Sequence, residues 1–360
     1  MTAAPWAIGL MSGTSMDGID AALLANDGRG VTGHGPWLTQ PYADSLRERL
    51  RAVLGGVGDV DGVARDITMA HHQAVSDLLA KAALPASAVR AIGFHGHTVL
   101  HRPEARRTLQ IGDGALLARL TGIDVVGDFR GADVAAGGQG APLAPLYHAA
   151  LAAQLERPLA VLNVGGVANV TWLGRDVPPL AFDTGPGNAL IDDWVRRHTG
   201  RLCDEGGGLA ARGQVDDAAL AALMAHAWFD RAPPKSLDRD DFSAVALGHL
   251  SVADGAATLT EFTAAAVAAA LKHVPEPPRR WLVCGGGRHN RALMAALARR
   301  LGAPVQPVEA VGWRGDALEA EAFAYLAMRS LAGLPLSLPS TTGVPAPQRG
   351  GRLFPAPVVA

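Results

Sequence analysis

Residues 6–24 read WAIGLMSGTSMDGIDAALL, and residues 159–174 read LAVLNVGGVANVTWLG. Each stretch is an apolar run, a turn of glycine and other small or polar residues, and a second apolar run. Each therefore predicts strand, tight turn, strand. The chain makes the same opening move twice, a duplication of layout rather than of residue identity. Outward from the first hairpin, periodic Leu, Val and Ala predict a helical segment over 47–86, and 89–94 predicts a buried strand running into HGHTVLHRP. Short strands at 109–111 and 124–127 flank a helix at 114–120. FRGADVAAGGQGAPLAP follows, punctuated by Gly and Pro, and then a helix over 146–155. After the second hairpin come AFDTGPGNALIDDW, helices over 216–226 and 258–274, a strand at 281–284, the loop GGGRHN, a helix from Arg291 and a last helix over 316–331. The Pro- and Gly-rich residues beyond 331 read as irregular. This alternation predicts an α/β protein. A length of 360 residues fits two domains, placed at 1–134 and 135–340, with residues about 340–360 packing back on the first.

Composition narrows the function. Hydrophobic residues make up 49% and charged residues 18%, with a formal charge of −2 and no basic or acidic block. A dedicated nucleic-acid binder would carry a clustered basic face, so that class is excluded. The two cysteines, Cys203 and Cys284, are far apart and lack CxxC spacing, which argues against a disulfide scaffold or a cysteine zinc site. No basic n-region precedes the first apolar run, and no apolar run approaches about 18 residues. The expectation is a cytoplasmic protein without a membrane partner; a homodimer is left open.

The candidate chemistry sits in the turns. Gly13-Thr14-Ser15-Met16-Asp17-Gly18 and Gly165-Gly166-Val167-Ala168-Asn169 could converge backbone N–H groups on an anion, and each could equally be a plain hairpin turn. Asp17 and Asp20 could hold Mg²⁺ through water. GxxxxGK[ST] is absent, and no GxGxxG follows a strand and opens a helix, so a nucleotide site would be of another kind. Gly285-Gly286-Gly287, between a strand and a helix, would let a flat ligand or a phosphate lie on backbone, or would simply turn the chain. Asp183, read at a strand end before Pro186-Gly187, suits a general base, with helix capping by Asp183 or Asn188 as the alternative. Arg130 with Asp128 and Asp133 reads either as a grip for hydroxyl or carboxylate groups or as an ion pair bracing a glycine loop. His95, His97 and His101 lack a carboxylate at ligand spacing and an HExxH partner, which favours hydrogen-bonding or core roles. GTSMD around Ser15 is not the GxSxG of a serine nucleophile.

Taken together, GTSMDGID, GFHGHTVLHRP, LQIGDGALLARLTGIDVVGDFRGADVAAGGQGAPL, LNVGGVANVTWL, FDTGPGNALID, PPKS, GGGRHN and GDALEAEAFAYLA resemble, in that order, the anhydro-N-acetylmuramic acid kinase family. The resemblance runs from about Ile8 to Gly343. It implies the actin-like ATPase (ribonuclease H-like) fold, two related domains around an interdomain cleft. It also implies an enzyme of cell-wall recycling and amino-sugar metabolism, converting 1,6-anhydro-N-acetylmuramic acid, ATP and water to N-acetylmuramic acid 6-phosphate and ADP. By the same resemblance Gly13, Thr14, Ser15, Met16, Asp17, Gly18, Ile19 and Asp20 would cradle the ATP phosphates. Gly165 and Gly166, and Gly285, Gly286 and Gly287 near the adenosine, would complete the nucleotide contacts. Asp183 would activate water; Thr98, Arg130 and Glu319 would contact the sugar or its lactyl carboxylate. The sequence departs from the family at His97, where Gln is usual, and at PPKSLDRD (233–240), where PPKSTGRE is usual.

The chemistry is self-consistent. Opening the anhydro bridge at C1 frees O6, and the γ-phosphoryl group can be the electrophile that takes it, so one carboxylate base suffices, as in an inverting glycosidase. A switching ATPase of the same fold would leave Arg130 and the Asp183 turn idle. A kinase of ordinary open sugars would need no water. Glu319 and Glu321 stand two apart on a helix and point different ways.

Overall fold

The computed structural model describes residues 4–13, 16–237, 241–244 and 247–357. Thr14 and Ser15 of the first turn, and Asp238, Arg239 and Asp240 of the PPKSLDRD segment, lie outside the described residues. The strands are β1 (Trp6–Ser12), β2 (Gly18–Asn26), β3 (Val31–Pro41), β4 (Val89–Arg102), β5 (Arg107–Ile111), β6 (Val125–Gly127), β7 (Leu159–Val164), β8 (Val167–Leu173), β9 (Leu180–Pro186), β10 (Trp281–Cys284), β11 (Val305–Pro307) and β12 (Arg352–Phe354). The helices are α1 (Asp44–Ala52), α2 (Val60–Ala82), α3 (Gly114–Thr121), α4 (Gly131–Ala135), α5 (Pro145–Leu151), α6 (Ala189–Thr199), α7 (Asp217–Met224), α8 (Val252–Ala269), α9 (Arg291–Leu301), α10 (Leu318–Leu331) and α11 (Pro339–Thr342).

Two compact units divide the chain, Met1–Gln154 with Asp316–Ala360, and Leu155–Gly315. In the first, the sheet order is β12-β6-β4-β1-β2-β3, with β5 paired to β4. β1, β2 and β3 form an antiparallel meander; β4 runs parallel to β1, and β6 parallel to β4. In the second, the order is β11-β10-β7-β8-β9. There β7, β8 and β9 form the meander, and β10 and β11 are the parallel strands. The strands β6-β4-β1-β2-β3 of the first sheet repeat the order β11-β10-β7-β8-β9 of the second, the duplication expected of the actin-like ATPase fold, and each set begins with one of the two hairpins read from the sequence.

Ile8 and Leu10 of β1 pack with Ile67 and Leu78 of α2 and Leu117 of α3 on one face of the first sheet. Helix α10 covers the other face through Ala317 and Ala320 against Ala22, and Phe323 and Leu326 near Val126 and Phe129. Its approach is unusually close. Gly9 and Gly93 are partners across β1 and β4. A Cβ on Gly9 would lie 1.7 Å from the Ala320 carbonyl oxygen, and one on Gly93 would lie 2.1 Å from that of Phe323. In the second unit α8 is buried along most of its length, between the sheet and α9 on one side and α6 and α7 on the other.

Several elements differ from the sequence reading. Residues 135–154 and 316–340 group with the first unit, not the second. The reason is the docking of α10 on the paired glycines, reinforced by the Tyr147 hydroxyl of α5, which donates to Glu321 Oε2 at 2.6 Å. The helical segment over 47–86 is two helices, because Gly55, Gly56 and Gly58 take φ of +82°, +76° and +78° between them. Strand β3 adds an edge to the meander, and β12 pairs with β6 in the tail that read as irregular.

The glycine pair yields a prediction. Gly93→Val should cost about 3 kcal/mol or more by overpacking, read as a lowered denaturation midpoint. Gly30→Ala, where a Cβ meets nothing within 4 Å, should change it little. An unchanged midpoint for Gly93→Val would mean that α10 does not depend on this contact.

Candidate active site

In the first unit the turn from Gly13 follows the carboxyl end of β1 and Arg130 that of β6, where open α/β sheets commonly take their ligands, whereas Asp20 lies on β2, Thr98 within β4 and Glu319 on α10. Ser12 ends β1 and is buried. Its oxygen accepts from the Tyr42 hydroxyl at 2.8 Å and lies 2.9 Å from His97 Nδ1. Burial holds the His97 pKa down at about 4, so the ring is neutral. Ser12 then donates to Nδ1, and the proton on Nε2 is buried without a partner among the described residues. Beyond Ser12, Met16 N–H donates to the Gly13 carbonyl at 3.1 Å, and Met16 takes φ +58°. Gly18 is required by close approach, since a Cβ there would lie 2.4 Å from the Gln40 carbonyl oxygen.

Asp20 on β2 accepts from the Thr39 hydroxyl at 2.5 Å. Burial pushes its pKa up to about 6, with Glu319, Asp17 and Asp316 adding to the rise and Thr39 opposing it. Arg130 donates from Nη1 to the Gly140 carbonyl at 2.7 Å and from Nε to His95 Nε2 at 3.1 Å. Burial lowers its pKa to about 10, opposed by Glu319 and Asp133, so it stays charged. Asp128 accepts from Gly131 N–H, and Asp133 from Gly140 N–H, so both carboxylates brace the loop through its backbone. The Thr98 hydroxyl, half-buried on β4, accepts from Gln110 at 3.3 Å. Glu319 is exposed, whereas Glu321 is wholly buried and meets Tyr147 and, at 3.1 Å, His34 Nδ1. His95, His97 and His101 are all engaged in hydrogen bonds, and no group of three or more metal-ligating side chains gathers among the described residues.

In the second unit three glycine segments meet beyond β7. The carbonyls of Gly165 and Gly166 accept from Asn188 N–H at 2.8 Å and Gly187 N–H at 2.9 Å, tying the hairpin turn to the start of α6. Gly187 must be glycine, because a Cβ would lie 2.3 Å from the Gly165 oxygen. Gly285, at φ +74°, leaves no room for a side chain beside Asn163 and Val164, while a Cβ at Gly286 would meet nothing nearer than Asn188 Nδ2 at 3.7 Å. Asn188 does not cap α6 with its side chain; its Nδ2 donates to the Val164 carbonyl at 3.1 Å.

Asp183 lies within β9, opposite Asn169, rather than at the strand end expected from the sequence. The Lys235–Leu237 segment straps it on both sides. Asp183 N–H donates to the Lys235 carbonyl at 3.0 Å, and Asp183 Oδ2 accepts from Leu237 N–H at 2.8 Å. Oδ1 has no hydrogen bond among the described residues, and neither oxygen caps α6. Burial pushes the Asp183 pKa up to about 7, against the Leu237 N–H and the Lys235 ammonium. The Lys235 amine is anchored by the carbonyls of Trp228 and Phe229 at 3.4 and 3.2 Å and sits 4.2 Å over the Trp228 ring. Ser12, Tyr42 and Lys235 are supports to which the sequence alone assigns no role, and Asn188, expected there as a possible helix cap, instead holds the Val164 carbonyl. Ser12 and Asn188 are marked locally only by adjacency to a glycine turn and Lys235 by membership of PPKS, while Tyr42 has no local signal.

A duplicated sheet with a glycine turn after the first strand of each copy, and a carboxylate strapped within the second, is the arrangement expected of a kinase with the actin-like ATPase fold. Residues 5–356 match the model of the anhydro-N-acetylmuramic acid kinase family, and the chain belongs to that family. It is 62% identical over 349 residues to the anhydro-N-acetylmuramic acid kinase of Paramagnetospirillum magneticum, covering 96% of this chain and 98% of that protein. The kinase of the same name from Rhodospirillum rubrum is 59% identical over 362 residues, covering 99% and 96%. That of Acidiphilium cryptum is 59% identical over 357 residues, covering 96% and 97%. No described helix is long and apolar enough to cross a membrane.

The raised Asp183 pKa has a consequence for stability. The folded state favours the protonated carboxyl, so the contribution of this group is fully present below the unfolded value near 4 and is lost as pH rises through about 7. Asp183→Asn removes that loss. Its melting temperature relative to the parent should therefore rise between pH 4.5 and pH 8. A difference that stays constant over this range would show that Asp183 titrates as an ordinary carboxyl.

Proposed function

We propose that this enzyme opens 1,6-anhydro-N-acetylmuramic acid with water and phosphorylates it from ATP, giving N-acetylmuramic acid 6-phosphate and ADP in cytoplasmic recycling of cell-wall sugars. Family membership supports the substrate. The observation that carries the chemistry is Asp183, with one oxygen fixed by Leu237 and the other without a hydrogen bond among the described residues, at a pKa of about 7. A base acts best when its pKa lies near the working pH.

In this reading Asp183 Oδ1 takes a proton from water as the water oxygen bonds to C1. The C1–O6 electron pair passes to O6, O6 bonds to the γ-phosphorus, and the bond to the β-phosphate oxygen breaks to release ADP. Gly13, Thr14, Ser15, Met16, Asp17, Gly18, Ile19 and Asp20, with Gly165 and Gly166, would bind the phosphates, and Gly285, Gly286 and Gly287 would take the adenosine. Thr98, Arg130 and Glu319 hold the sugar, with Arg130 the partner for the lactyl carboxylate. Glu319 rather than Glu321 fits this role, because Glu321 is buried against Tyr147 and His34. Mg²⁺ would be held through water by Asp17 and Asp20. Asp20 is raised chiefly by desolvation and further by Glu319, Asp17 and Asp316, and that added repulsion fits a cation there; an ion bound largely through water and phosphate needs no closed protein cage. When bound, it would supply charge neutralisation to the phosphates.

Run in H₂¹⁸O, the reaction should place one labelled oxygen at C1 of the product and none in the phosphoryl group. Label in the phosphate instead would overturn the coupled ring opening. Asp183→Asn should still bind ATP and lose on the order of 10² to 10⁴ in rate. In the parent, activity should fall about tenfold per unit as pH drops below about 7.

A further inference from the structure

The loop that orients Arg130 is itself held by residues from the far end of the chain. Asp133 is 2% exposed and divides its carboxylate between two tasks. Oδ1 accepts from Gly140 N–H at 2.6 Å, and Oδ2 accepts from the hydroxyls of Ser337 and, at 2.6 Å, Thr342. The backbone repeats the link, with Gln139 N–H donating to the Thr342 carbonyl at 2.7 Å. Gly140, at φ +69°, then turns its own carbonyl onto Arg130 Nη1. On the other side His95 Nδ1 donates to the Gly96 carbonyl at 2.9 Å, which leaves Nε2 as the acceptor that Arg130 Nε requires. The guanidinium thus has two of its donors committed to fixed acceptors. Nη2 has no hydrogen bond among the described residues, and the exposed Glu319 lies close enough to act on the charge.

We propose that Ser337 and Thr342, acting through Asp133 and Gly140, are positioning residues that aim Arg130 and thereby set the preference for a sugar carrying a carboxylate. This rests on the role given to Arg130 above and extends it to residues that touch no substrate. A planar guanidinium recognises a carboxylate through a fork of fixed geometry, so a small rotation forfeits the paired hydrogen bonds while leaving the charge in place.

The test compares 1,6-anhydro-N-acetylmuramic acid with 1,6-anhydro-N-acetylglucosamine, which lacks the lactyl carboxylate, by kcat/KM on the full-length enzyme. Thr342→Val keeps the shape and removes one donor; Ser337→Ala/Thr342→Val removes both; Asp133→Asn keeps the size. In the double variant the ratio of the two kcat/KM values should shrink on the order of tenfold, mainly through KM for the muramic sugar, with KM for ATP unchanged. Thr342→Val should shift the ratio in the same direction by less. Arg130→Met is the control. If it leaves the preference intact, the role given to Arg130 fails. If it abolishes the preference while the double variant and Asp133→Asn retain it, the positioning inference fails alone. Equal losses on both sugars, or a lowered melting temperature with an unchanged ratio, would show that the network only braces the fold.

Discussion

Helix α10 can rest on the first sheet only because Gly9 and Gly93, partners across β1 and β4, carry no side chains. That close approach sets the position of every polar group the helix and its leading turn present. Asp316 and Glu319 come to act on Asp20, and Glu319 also acts on Arg130. Glu321, two residues on, turns inward and fixes α5 through Tyr147. One contact between backbones therefore closes a core, distributes three carboxylates and decides which of two neighbouring glutamates stays exposed.

The two raised aspartates show how similar shifts arise from different surroundings. Asp20 is half-buried, raised first by desolvation and then by three other carboxylates, so any cation brought among them relieves it. Asp183 is raised by burial alone, with a backbone N–H and a lysine working against the rise. Its relief is a proton. The lysine that opposes the shift is itself partly desolvated, with its pKa lowered to about 8, so its help is limited and Asp183 stays near neutrality.

Much of this was legible in the sequence where a pattern is local. The two hairpins, the strand at 281–284 and the helix from Arg291 follow from apolar runs and glycine punctuation. Strand β3 was not legible because it is an edge strand whose pattern is broken by Gly33, Gly35 and Pro36. The unit boundary was not legible, since an alanine-rich helix shows that it is buried but not on which sheet. The motifs marked Asp183 and Arg130, but Asp183 proved to lie within its strand, held by a strap that starts more than fifty residues later. Glu319 and Glu321 are indistinguishable by type and two residues apart. Only Tyr147 and His34, contributed by other elements, separate them.

The division into units also orders the life of the chain. Residues 155–315 form one uninterrupted stretch, whereas the first unit needs both residues before 155 and residues after 315. Domains generally fold as units while the ribosome works from the N-terminus. Here the first sheet to be synthesised is the last to be completed. Until α10 emerges, the face of β1 and β4 that carries Gly9 and Gly93 waits uncovered while the whole second unit is made. The order of synthesis therefore leaves the sheet that α10 covers to be completed after the second unit has been made.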